Sequence, residues 1–114
     1  MKPFLFVISL FSLLLLALPA SAIERGDAAA GEEKAQACLA CHSASAVEGN
    51  PEWPRLNGQH TDYIVQALRA YQSGTRQNAI MRAQVEDLSR QDMRDLGAWF
   101  SAQQGELNTP GQQR

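Results

Sequence analysis

Large aliphatic and aromatic side chains are scarce once the first 22 residues are set aside. Leucine, isoleucine, valine and phenylalanine make up about 14 % of residues 23–114, below the roughly 20 % of chains that build a core from side chains alone. Disorder usually comes with a high net charge, but the formal net charge of this chain is only −2. The composition therefore predicts a folded chain whose interior is filled by something besides its own side chains.

Several other features are missing, and each absence excludes a class of protein. No segment alternates apolar and polar residues clearly enough to predict a strand, and there is no internal repeat. Basic residues do not cluster, which disfavours nucleic acid as a partner. There is no Ser/His/Asp set and no glycine-rich phosphate loop, so no catalytic motif is recognisable. We expect an all-α protein that is not an enzyme.

The first 22 residues have the pattern of a secretory signal peptide. Lys2 precedes an apolar run over residues 4–18, and the small residues of Pro-Ala-Ser-Ala end at Ala22. Since the run is shorter than the roughly 20 residues that span a bilayer, an uncleaved anchor is the less favoured alternative. We predict cleavage after Ala22, a periplasmic location, one domain over residues 23–105 and a polar flexible tail over 106–114.

Three later segments have helical patterns. Residues 27–40 are rich in alanine, with acidic residues in the early turns. A second helix is predicted to follow Thr61 as its N-cap, with apolar Ile64 and Leu68 one turn apart and Gly74 at the C-terminal cap.

The third helix is predicted to follow Ser89. Asp92 lies three residues after this serine, as in a capping box, and Gly105 closes the segment. Its apolar face is formed by Met93, Leu96 and Phe100.

The segment C-L-A-C-H contains both cysteines of the chain, Cys38 and Cys41, followed at once by His42. A disulfide between them would close a very small loop and stabilise little. A thiol–disulfide oxidoreductase would need a βαβ setting, which this sequence lacks. Zinc would need a fourth ligand, and His60 is the only other histidine.

Covalent haem attachment explains all three residues at once. Two thiols separated by about one helical turn can bond the two vinyl groups of a haem, and the adjacent histidine can ligate the iron. We therefore predict one covalent haem c held by Cys38, Cys41 and His42. The haem would also supply the apolar interior that the composition lacks.

Three residues are candidates for the opposite axial position. Met93 lies on the apolar face of the third helix, where methionine usually fills a core. His60 lies just before a helix, where histidine is usually solvated. Met81 lies in a predicted loop between the second and third helices, far enough from His42 to reach the other face, and is the favoured candidate.

Four segments in this order resemble class I c-type cytochromes, in particular the small bacterial single-haem members and one half of their dihaem relatives. The segments are C-L-A-C-H, W-P-R-L-N-G-Q, Y-Q-S-G-T-R-Q-N-A-I-M and L-S-R-Q-D-M-R-D-L-G-A-W-F. The resemblance covers about residues 26–104 and implies the cytochrome c fold, with three main helices wrapped around one covalent haem. With a single C-x-x-C-H, the two-haem relatives do not serve as whole-chain models.

The resemblance also implies roles for individual residues. Cys38 and Cys41 would be the thioether anchors, His42 the proximal ligand and Met81 the distal ligand. The carbonyl of Pro54 would accept a hydrogen bond from the ring of His42 and fix its tautomer.

Further positions match the family or depart from it. Gly31 and the Trp99/Phe100 pair match the close crossing of the first and last helices. Ser43 stands where many relatives have glycine. Ala79 replaces a common proline two residues before the distal methionine, a change expected to loosen that loop.

Histidine–methionine ligation implies electron transfer, because both axial sites are filled and no substrate can reach the iron. We expect a periplasmic single-electron carrier between respiratory redox proteins, such as a cytochrome complex or a terminal oxidase or reductase. No nucleic acid or small-molecule substrate is expected, and membranes are met only through partner complexes. The alternatives are a haem enzyme or gas sensor with a displaceable Met81, and a haem-free three-helix interaction module.

Overall fold

The computed structural model describes residues 25–105, and these form five α-helices without a strand. The helices are α1 (Ala28–His42), α2 (Ala44–Gly49), α3 (Thr61–Ser73), α4 (Ala79–Val85) and α5 (Arg90–Ala102). The predicted all-α class is confirmed, and α1, α3 and α5 are the three main helices expected. The predicted signal peptide and polar tail lie outside the described residues.

Among the described residues, no helix is both long enough and apolar enough to cross a membrane.

Several helix ends follow the predicted signals. The side chain of Ser89 accepts from the backbone N–H of Asp92, whose carboxylate accepts in return from the N–H of Ser89, so the capping box of α5 is confirmed. Gly74 ends α3 in the left-handed region, with φ of 80°. Asp27 is the N-cap of α1, its carboxylate accepting from the N–H of Ala29 at 2.8 Å.

Two predicted ends are wrong. His60 is the N-cap of α3, and Thr61 is the first helical residue; its hydroxyl donates to the carbonyl of Gly97 at 3.3 Å. Thr61 therefore ties α3 to α5 instead of capping its own helix. The C-cap of α5 is Gln103, so Gly105 lies beyond the helix end. An added Cβ at Gly105 would lie 2.1 Å from the carbonyl oxygen of Asn57, so the close approach of this loop requires glycine.

Two short helices were not predicted. Ser43 is both the C-cap of α1 and the N-cap of α2, its hydroxyl accepting from the N–H of Ala46 at 3.3 Å. Ser43 therefore has a structural role, because its hydroxyl caps α2. The predicted loop around Met81 is instead α4, whose N-cap is Asn78. Both helices are shorter than the window over which a helical period can be recognised.

A small apolar cluster lies where α1, α3 and α5 meet. Its buried members are Ala35, Ile64, Leu96 and Phe100. Met93 is also fully buried, with 0 % of its surface exposed. Burial at this position confirms that Met93 is a core residue of α5.

Helices α1 and α5 cross at very short distance. An added Cβ at Gly31 would lie 2.1 Å from the carbonyl oxygen of Asp95 and 2.8 Å from the Cβ of Trp99. Trp99 and Phe100 meet edge to face, with ring centroids 4.7 Å apart, a favourable aromatic geometry. The expected crossing of glycine against the aromatic pair is thus present.

A buried carboxylate lies at the same crossing. Asp95 accepts hydrogen bonds from the Nζ of Lys34 at 2.6 Å, the backbone N–H of Asp27 at 2.8 Å and the Nε2 of Gln91 at 2.7 Å. Burial opposes ionisation of Asp95, but these donors outweigh it and lower the pKa of the carboxyl. Asp95 therefore links the start of α1, its second turn and α5 in one network.

The crossing generates a stability prediction. We expect Gly31→Ala to lower the free energy of unfolding of the holoprotein by about 1–3 kcal/mol, because the added methyl overlaps the carbonyl of Asp95 and must push the helices apart. Urea unfolding followed by circular dichroism measures the change. Gly49→Ala is the matched control: nothing lies within 4 Å of an added Cβ there, so stability should be unchanged or slightly higher. Equal effects in both variants would contradict a tight crossing.

Candidate functional site

The last turn of α1 carries three of the predicted site residues. Cys38, Cys41 and His42 all belong to this helix; Cys38 and His42 are four residues apart and so share one face. Both cysteines are free and partly buried, so the disulfide alternative is not what the structure shows. Burial raises the pKa of the Cys38 thiol, which favours the neutral form.

His42 is buried and held in one orientation. Its ring Nδ1 lies 2.9 Å from the carbonyl oxygen of Pro54. Since a carbonyl can only accept, Nδ1 carries the proton of the neutral ring, which leaves the lone pair on Nε2 in that tautomer. A histidine oriented in this way is prepared to ligate a metal through Nε2.

The loop that supplies the Pro54 carbonyl is tied to the core. The N–H of Gly58 donates to the carbonyl of Phe100 at 2.9 Å, and the N–H of Gln59 donates to the carbonyl of Leu56 at 3.0 Å. The first bond connects the segment between α2 and α3 to the end of α5, and the second closes a turn within that segment. The segment that carries Pro54 is thus anchored to α5.

The three candidates for the second axial position lie in different environments. Met93 is fully buried in the core, and His60 is exposed at the N-cap of α3. Met81 is partly exposed in the first turn of α4, where its backbone N–H donates to the Oδ1 of Asn78 at 3.0 Å. Of the two methionines, only Met81 has a side chain that is not committed to the core.

The donor set fits covalent haem better than zinc. Within residues 25–105 no three His, Cys, Asp or Glu side chains are grouped so as to hold a metal ion, so the fourth zinc ligand is not found there. Two free thiols one turn apart and an oriented imidazole are the groups that haem attachment needs.

The comparisons with known proteins agree with this chemistry. The sequence profile described as "Cytochrome c" matches residues 28–103. Cytochrome c-554(548) of Halomonas halodenitrificans is 38 % identical over 82 residues, which cover 69 % of this chain and 99 % of that protein. Cytochrome c4 of Pseudomonas aeruginosa is 40 % identical over 91 residues, covering 80 % of this chain but 45 % of that protein.

A third relative carries a functional name. The "Thiosulfate dehydrogenase electron acceptor" of Thiomonas intermedia is 36 % identical over 75 residues, covering 64 % of this chain and 34 % of that protein. This chain therefore spans nearly the whole of one relative and less than half of the other two.

The first turn of α4 generates a prediction about Ala79. This residue is the first of the helix, and Asn78 before it is extended, with φ of −163° and ψ of 118°, a conformation that accepts a following proline. The first helical position favours proline because its N–H has no intrahelical partner. We expect Ala79→Pro to raise the free energy of unfolding by about 0.4–1 kcal/mol.

Ala83 provides the matched control, because it lies inside the same helix. Proline there removes a helical hydrogen bond and clashes with the preceding turn, at a cost of about 3 kcal/mol. Urea unfolding of both holoproteins measures the effects. A loss of stability in Ala79→Pro would contradict the position of Ala79 as the first residue of α4.

Proposed function

Because the chain belongs to the cytochrome c family, we propose that it is a periplasmic single-electron carrier between respiratory redox proteins. The family and its cytochrome c4 relatives imply haem-based electron transfer, and the single C-x-x-C-H site indicates one covalent haem c. The observation that carries the proposal is the buried His42, with its Nδ1 bonded to the Pro54 carbonyl at 2.9 Å.

Each site residue has one task in this proposal. Cys38 and Cys41 would form the two thioether bonds, His42 would ligate the iron through Nε2, and the Pro54 carbonyl holds the ring of His42 in place. Met81 would supply the second protein ligand to the iron. The bound haem supplies a one-electron couple between ferrous and ferric iron. The soft thioether of Met81 favours the ferrous state and so raises the reduction potential relative to a second imidazole.

An iron with two protein ligands can carry an electron but has no free position for a substrate. When His42 and Met81 both occupy axial positions, no substrate site is left at the iron, and the chain needs no general acid, base or nucleophile. Electrons then pass to and from other redox proteins during brief encounters over a small surface. A relative named as an electron acceptor of a dehydrogenase supports a redox enzyme as one partner.

The periplasmic location rests on the N-terminal pattern. Residues 1–22 match a signal peptide with cleavage after Ala22, which leaves the domain over residues 23–105 and the tail over 106–114.

The first prediction from this proposal concerns attachment. We expect Cys38→Ala to retain one thioether, visible as a shifted spectrum in alkaline pyridine. The Cys38→Ala/Cys41→Ala double variant should yield little stable protein, because the haem completes a core that the side chains leave small. Haem staining of denatured protein and the purified yield measure both effects. A well-folded, haem-free double variant would contradict the proposal that the haem completes the core.

A second prediction separates the two methionines. Met81→Ala removes the proposed thioether ligand, so the far-red sulfur-to-iron absorption of the oxidised protein should vanish and its affinity for carbon monoxide, once reduced, should rise. The reduction potential should fall, and electron transfer to the normal partner should weaken sharply.

Met93→Leu is the matched control, because it keeps volume and apolarity within the core of α5. Such a swap typically costs less than about 1.5 kcal/mol, and the spectrum and potential should be nearly unchanged. Loss of the sulfur band in Met93→Leu, with retention in Met81→Ala, would reverse the ligand assignment. If the unmutated protein lacks the band and binds carbon monoxide, it is a haem enzyme or gas sensor with an open iron.

A further inference from the structure

Helix α4, which carries Met81, has few attachments to the rest of the fold. It has seven residues, of which only Val85 is buried, and it packs mainly against α3. A helix this short is not stable in water without contacts from outside. The contacts between α4 and the rest of the fold therefore determine how firmly Met81 is kept in position.

One side chain of α3 contacts the C-terminal end of α4 at three points. The Nε2 of Gln72 lies 2.9 Å from the carbonyl oxygen of Val85, 2.9 Å from that of Leu88 and 3.2 Å from that of Glu86. These carbonyls belong to the end of the helix and the turn after it, where backbone acceptors lack helical partners. The two N–H bonds of one amide thus serve three acceptors.

The opposite end of α4 is held by its own cap. The Oδ1 of Asn78 accepts from the backbone N–H of Met81 at 3.0 Å, which fixes the first turn locally. The cap alone does not connect α4 to another helix. Gln72 supplies that connection, one helical turn beyond Met81.

We propose that Gln72 is a positioning residue for Met81, setting how often the thioether leaves the iron. The inference rests on the proposed role of Met81 as distal ligand. When the C-terminal end of α4 is released from α3, the helix can move and the axial site opens. An external ligand binds only to the open fraction, so its apparent affinity reports that fraction directly.

The test is an imidazole titration of the oxidised holoprotein. Gln72→Leu removes both N–H donors and introduces an apolar side chain of similar bulk. We expect the apparent imidazole affinity to rise about tenfold, equivalent to about 1.4 kcal/mol. The far-red sulfur band should also weaken at a lower temperature than in the unmutated protein.

Gln36→Leu is the matched control. The Nε2 of Gln36 donates to the carbonyl of Glu32 at 3.2 Å on the exposed side of α1, so the same substitution removes a side-chain-to-backbone bond away from α4. Its imidazole affinity should equal that of the unmutated protein. If Gln72 only stabilises the fold, Gln72→Leu will lower the urea midpoint without changing the imidazole affinity. That result would overturn the proposal.

Gln72→Glu is a second variant that removes the two N–H donors by a different change. Glutamate keeps the length of the side chain, but its ionised carboxylate cannot donate and repels the three carbonyls. We expect imidazole affinity to rise at least as much as in Gln72→Leu. If the Gln72 variants that fold stay within twofold of Gln36→Leu, the proposal is overturned.

Failure of this inference can be separated from failure of the proposed function. If the unmutated protein lacks the sulfur band, or Met81→Ala keeps it, the distal assignment fails and the positioning role falls with it. If the band is present, is lost in Met81→Ala, and the Gln72 variants match Gln36→Leu, only the positioning role is wrong.

Discussion

The close crossing of α1 and α5 is the constraint on which the rest of the structure depends. Gly31 allows the two backbones to approach until there is no room for a Cβ against the carbonyl of Asp95, and Asp95 binds both Lys34 and the start of α1. The crossing fixes the axis of α1, and the attachment segment is the last turn of that helix. A structural contact more than one turn away therefore determines where Cys38 and His42 project.

The small core explains why attachment and folding are coupled. Cys38 is partly buried and packs against the cluster of Ala35, Ile64, Leu96 and Phe100, so a group bonded to its sulfur is joined directly to the apolar interior. The large side chains available to that interior are few. A covalent haem therefore serves as a core component as well as a redox centre, in line with the low content of large apolar residues.

The parts of the fold that depend on local sequence could be predicted, and those that depend on distant contacts could not. Helices α3 and α5 and the capping box of Ser89 follow from periodicity and spacing, and α1 follows from its alanine content. The neighbours of Thr61 predict that it caps α3, whereas its hydroxyl donates to the carbonyl of Gly97, 36 residues away. The contact between Asp27 and Asp95 spans 68 residues, and no local pattern reveals it. At the site, Cys38, Cys41 and His42 form one recognisable motif, while Gln72 has no signal beyond being a glutamine in a helix.

The proposed attachment residues and the proposed distal ligand are held in place by different sets of contacts. The attachment residues lie on α1, which the crossing with α5 and the Asp95 network hold in place. Met81 lies on α4, a helix with one buried residue whose C-terminal end binds the amide of Gln72 on α3. Because the two helices are supported by different contacts, substitutions at the α3–α4 contact should change how firmly Met81, the proposed distal ligand, is held, without disturbing the C-x-x-C-H segment on α1. Ala79 belongs to the same part of the fold, since a proline at this first position would stiffen α4 from its other end.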